Sequence, residues 1–151
     1  MTRTSDRLFI DTETRKYYNF IKKEYPHLNL TNSDLFTLAL VIGYNNGLKK
    51  ALNRKMAFIL HGTIPANLFS IIILLAIDEY GLDKEWINNP LNLFDLAEQY
   101  ANAGIEILME NSKHYDFNLD DFLTTNILEL DAKVDFKSKY ENFVLKSKNE
   151  K

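Results

Sequence analysis

The chain contains no cysteine among its 151 residues, so disulfide staples and thiolate metal sites are excluded. Glycine is scarce at five and proline scarcer at three, and no Pro-, Ser- or Gly-rich stretch marks a linker. Three histidines, His27, His61 and His114, lie far apart, and none has a second histidine at helical ligand spacing. The longest apolar run, "LFSIIILLAI" (Leu68 to Ile77), is too short to span a bilayer. The first residues, "MTRTSDRLFID", have no apolar stretch of signal-peptide length. Together these absences predict a soluble cytoplasmic protein without membrane contact.

What remains is an ordinary globular mixture, 46% hydrophobic and 26% charged. The length suits one domain able to bury its own core. The net charge of −3 is unevenly spread. Residues 1–55 carry 10 Lys+Arg against 5 Asp+Glu, residues 56–135 carry 3 against 14, and residues 136–151 carry 5 against 2. The chain therefore reads as one α-rich domain over 1–135, with a basic N-terminal third and an acidic helical body, followed by a charged helix or tail over 136–151.

The hydrophobic patterning predicts a mainly α, compact helical domain of about five helices with a short N-terminal strand. In "DRLFID" (Asp6–Asp11), Leu8 and Ile10 alternate with Arg7, Phe9 and Asp11, a short strand pattern. A first helix follows, capped by Asp11 or Thr12, with Tyr17, Phe20, Ile21 and Tyr25 at helical spacing. A second begins after a Thr31, Asn32 or Ser33 cap and should stop at "GYNNG", Gly43 to Gly47. "LKKALNRKMAFILHGTIP" (Leu48–Pro65) reads as a second short strand or an extended crossing segment. A third helix, Ala66 to Tyr80, is apolar on nearly every side and is expected to be the central one. A further helix starts near an Asn118–Asp120 cap and runs to about Leu130.

The fourth helix, "LFDLAEQYANAGIEILMEN" (Leu93–Asn111), holds Gly104 at its centre, where glycine costs about 1 kcal/mol relative to alanine. Ala97, Ala101 and Gly104 form a shallow strip suited to close helix packing, with the third helix as expected neighbour. Asp95, Glu98, Gln99, Asn102, Glu106 and Glu110 form a polar stripe, read as solvated.

No catalytic signature assembles: P-loop, GxGxxG and GxSxG patterns are all lacking. "DFNLDD" (Asp116–Asp121) starts like a calcium loop, but Asp121 and Ile127 occupy its glycine and closing glutamate positions. Helix capping is the better reading. No catalytic residue, cofactor or metal is expected.

"AEQYANAGIEIL" resembles a segment of small accessory proteins encoded beside DNA phosphorothioation (dnd) systems. Glu98, Tyr100, Ala101, Asn102, Gly104, Glu106 and Leu108 match that pattern, whereas Ala103 replaces a glycine. "DLFTLALVIGYNNG" (Asp34–Gly47) is similar to an earlier run of the same proteins. The resemblance implies the context of a bacterial or archaeal DNA modification and phage-defence locus, and with no catalytic signature present the expected role there is non-catalytic. The order strand, helix, turn and capped helix within Arg7–Gly47 also resembles a ribbon-helix-helix DNA-binding module, in which two chains pair their strands. A homodimer is implied by that second resemblance. Candidate partners are DNA, through Arg7, Lys49, Lys50, Arg54 and Lys55, or proteins of the modification system, through carboxylates such as Glu98, Glu106 and Glu110.

Overall fold

The computed structural model describes residues 7–60, 64–81, 89–114, 117–122 and 124–125. The architecture is mainly α with one two-stranded antiparallel sheet, as the patterning predicts. Its elements are β1 (Leu8–Asp11), a 3-10 turn, α1 (Arg15–Glu24), α2 (Asn32–Asn45), β2 (Lys55–Ile59), α3 (Ala66–Tyr80) and α4 (Pro90–Ser112). Residues 119–122 are again helical, and Asn118 Oδ1 caps them by accepting from Asp121 N at 3.1 Å. The continuation to Leu130, the 136–151 segment, Asp116 and His61 lie outside the described residues.

The second short strand is present as β2. It pairs with β1 in the register Phe9 to Ala57, Ile10 to Met56 and Asp11 to Lys55, with an irregularity between Leu8 and Phe9. Leu8 and Ile10 are buried as the alternation requires, but so is Asp11, which the alternation places outward. Asp11 is held by local bonding: its carboxylate accepts from Glu13 N at 3.1 Å and from Asn53 N at 2.8 Å. Strand β1 thus pairs within its own chain, unlike the intermolecular ribbon of a ribbon-helix-helix module.

In α1 the inward residues are Tyr18 and Ile21, while Phe20 is 40% exposed. The Tyr18 ring packs against Phe58 of β2 at a centroid distance of 4.6 Å. Helix α2 begins with a reciprocal cap. Thr31 Oγ1 accepts from Asp34 N, and Asp34 Oδ2 accepts from Thr31 N, at 3.1 and 2.9 Å.

Helix α2 ends at Asn45, inside the expected Gly43–Gly47 stop. One expectation about the helices is corrected. Helix α2, and not α3, is the central helix: Leu35, Phe36, Ala39, Leu40, Val41, Ile42, Gly43 and Tyr44 are all buried. Helix α3 buries only Leu68, Ile72, Leu75 and Ala76, so uniform apolarity did not translate into uniform burial.

The neighbour of the small strip on α4 is accordingly α2. A Cβ built at Gly104 would lie 1.7 Å from the Ala39 carbonyl oxygen, and one at Gly43 would lie 1.9 Å from the Tyr100 carbonyl oxygen. Position 39 meets 104 and position 43 meets 100, so the helices run antiparallel with their backbones in direct contact. Ala97 and Ala101 are buried in the same seam, and Tyr44 meets Tyr100 edge-on at 5.3 Å. Glycine at two interlocking positions permits an approach that any side chain would block.

Candidate functional site

The antiparallel α2–α4 pair leaves residues 46–54 to travel from the end of α2 back to β2. This segment has no regular structure. Most of its residues are exposed, yet several of its backbone groups bond to neighbouring elements rather than to water alone. Helix α4 and β1 supply the partners. Lys50 N donates to the Gln99 carbonyl at 3.0 Å. Asn102 Nδ2 donates to the carbonyls of Lys50 and Ala51 at 3.1 and 3.2 Å. At its far end the Arg54 carbonyl accepts from Thr12 N at 2.9 Å. The segment is therefore strapped across α4.

The polar stripe of α4 faces this strap and the sheet. Glu98 and Asn102 are 2% and 3% exposed, which corrects the solvated reading at those two positions, whereas Glu110 is exposed as expected. Glu98 Oε2 accepts from Phe9 N at 2.9 Å, so a helix carboxylate completes the hydrogen bonding of β1. Glu106 receives the Lys50 ammonium. Glu110 remains at the surface, paired with Lys113 at 3.2 Å. Polarity alone does not tell a wet stripe from a bonded one. Asn102 serves the irregular run and Glu98 serves β1, so both polar groups are engaged by backbone laid across α4.

The predicted cations now divide in two. Lys49 Nζ lies 2.7 Å from Glu79 of α3 and within 5.5 Å of the Tyr100 ring centroid. Tyr100 donates its hydroxyl to the same Glu79 carboxylate. Lys55 stands 3.6 Å from Asp95 and 3.9 Å from Glu98. The carboxylates raise the pKa of Lys49 and Lys50 through the hydrogen bonds they accept. Burial, then the Glu79 contact, pushes the Tyr100 hydroxyl up. Arg7, Arg15 and Arg54 are exposed, with Arg7 and Arg54 flanking opposite ends of the sheet. Arg15 reaches Met56 Sδ at 3.8 Å, next to the strand residues that follow Arg54.

The basic N-terminal third and the acidic body are thus partly turned toward each other. Three of the five predicted DNA contacts, Lys49, Lys50 and Lys55, sit against carboxylates of α3 and α4. Pairs this exposed contribute about 0–1 kcal/mol each, so they orient the strap more than they stabilise it. Ala97, Ala101 and Gly104 form the packing seam described above. Of the histidines, His27 is exposed beside Tyr25 and His114 is exposed after α4. Among the described residues no group of three or more metal-ligating side chains comes together. None of their helices is long and apolar enough to cross a membrane. No family model, no curated protein and no solved structure matches the chain.

Proposed function

We propose that the protein is a non-catalytic accessory component of a DNA phosphorothioation and phage-defence system, and that it contacts DNA through its basic N-terminal third. The resemblance of Asp34–Gly47 and Glu98–Leu108 to accessory proteins of such systems supplies the context. The observation that carries the DNA contact is the set of exposed arginines around the sheet, Arg7, Arg15 and Arg54. Arginine presents a planar donor fork that matches phosphate, and it keeps its charge at every relevant pH. Lys49, Lys50 and Lys55 play a different part in this reading, since their carboxylate partners would have to be displaced before they could meet a phosphate.

The alternative role, a protein–protein adaptor acting through the acidic body without DNA, is left with fewer free carboxylates, because Glu98 is buried and Glu106 is paired. A duplex titration at several salt concentrations tests the proposal. Affinity should fall with salt, and changing Arg7, Arg15 and Arg54 together to Gln should flatten the log–log slope by about 0.9 for each phosphate that is no longer neutralised. Changing Lys49, Lys50 and Lys55 to Gln should leave that slope in place. No binding at low salt would sink the DNA contact and put the adaptor in front.

A further inference from the structure

Helix α1 turns one apolar residue away from the core. Tyr18 and Ile21 are buried, whereas the opposite side of the helix is exposed at Lys16, Asn19, Phe20, Lys23 and Glu24. Lys16, Phe20 and Lys23 recur at i, i+4 and i+7 and therefore share one face. Phe20 is 40% exposed and is the one apolar side chain among them. A single exposed hydrophobic residue is ordinary on a protein surface. Its setting here is not. Lys16 and Lys23 stand in none of the described ion pairs, unlike Lys49, Lys50 and Lys55. Helix α1 carries four cations against one carboxylate, and Arg15 at its start joins this face to the arginines already assigned to DNA.

Cations on both sides of an accessible ring match a partner that alternates negative charge with flat apolar groups. A strand of nucleic acid does so, with phosphates at regular intervals and a base on each unit. Lys16 and Lys23 lie about 10 Å apart along the helix axis, with Phe20 between them. A backbone running along α1 can place a phosphate at each lysine and a base on the Phe20 ring. In a duplex the base faces are covered by stacking, and an unpaired strand leaves them open. A membrane surface fits less well, because one phenyl ring gives an interfacial helix too little apolar area.

We propose that the outer face of α1 binds single-stranded DNA, with a base stacked on Phe20 and phosphates held by Lys16 and Lys23. This rests on the DNA contact proposed above and adds an unpaired strand as its partner.

The test is fluorescence anisotropy on the full chain at low salt, with three labelled probes of about 15 nucleotides, enough to cover the usual single-strand site. They are oligothymidylate, an abasic phosphodiester chain and a duplex. Oligothymidylate should bind more tightly than the abasic chain. Phe20→Ala and Phe20→Leu should each weaken oligothymidylate about tenfold, an effect typical of losing one base–aromatic stack, and leave the other two probes unchanged. Phe20→Trp should keep or tighten the parent affinity. Changing Lys16 and Lys23 together to Gln should weaken oligothymidylate and the abasic chain alike and lower the salt slope of both. The ratio of oligothymidylate to abasic affinity is read within one variant, so any change in folded fraction cancels. Equal affinity of the parent for those two probes, or a ratio that Phe20→Ala leaves unchanged, would overturn the proposal. Duplex binding that persists in that case keeps the arginine contact, whereas binding of no probe removes both. Phe20-dependent binding to phosphatidylserine vesicles, with none to oligothymidylate, would assign the face to a membrane and overturn the proposal as well.

Discussion

A methyl group added at Gly104 would lie 1.7 Å from the Ala39 carbonyl oxygen and 2.8 Å from Gly43 N. Both neighbours are backbone, so no side-chain rotation relieves the clash. In an isolated helix Gly104→Ala would be favourable by about 1 kcal/mol. In this seam α2 and α4 must move apart to make room, which opens the packing around Ala97, Ala101 and Tyr44. Overpacking of this kind usually costs about 1–3 kcal/mol, and a rigid backbone neighbour puts Gly104→Ala at the upper end or above it. For a chain of this length a loss of about 3 kcal/mol lowers Tm by roughly 6–12 °C. Thermal melts followed by circular dichroism measure it, with Ser70→Ala on the exposed side of α3 as a control expected to shift Tm little. The double change Gly43→Ala/Gly104→Ala should cost less than the two singles together, because the helices are already apart after the first. A Gly104→Ala protein that melts at or above the parent temperature would refute the close-contact reasoning, since only helix propensity would then be acting.

The Tyr18 hydroxyl is buried without a hydrogen-bond partner, so Tyr18→Phe removes an unsatisfied group and should raise stability or leave it unchanged; a clear fall in the denaturation midpoint would show that the hydroxyl has a partner. Burial raises the Tyr18 and Tyr100 hydroxyls above 10.0, and carboxylate partners raise Lys49 and Lys50 above 10.5. Each group binds its proton more tightly in the folded state, so its contribution is complete below those ordinary values and is lost as pH rises above them. Melts across that alkaline range should therefore show falling Tm, less steeply in Tyr18→Phe. Glu98→Ala leaves Phe9 N without its acceptor and should cost about 1–3 kcal/mol in urea titrations, whereas Glu98→Gln, which keeps an oxygen there, should cost less. Thr31→Ala breaks the reciprocal cap of α2 and should lower stability by about 0.5–2 kcal/mol.

Local signals in the chain determined a good deal of this protein. The alternation of Leu8 and Ile10 marked β1, the Thr31–Asp34 pair marked the start of α2, and the spacing from Leu93 marked α4, because strand period, capping and helix period act over a few residues. The small strip at Ala97, Ala101 and Gly104 likewise announced a close approach. Which surface would fill that strip depended on positions far away along the chain. Only the folded chain brought Ala39 and Gly43, instead of α3, against it, and showed that Gly43 belongs inside a helix. The charges were ambiguous for the same reason. Lys49, Lys50 and Lys55 looked like a surface for phosphate, and Glu98, Asn102 and Glu106 looked like a wet helix face. A polar side chain is indifferent to whether water, a partner or its own chain satisfies it, and only the tertiary structure, which laid the strap across α4, decided that each set answers much of the other.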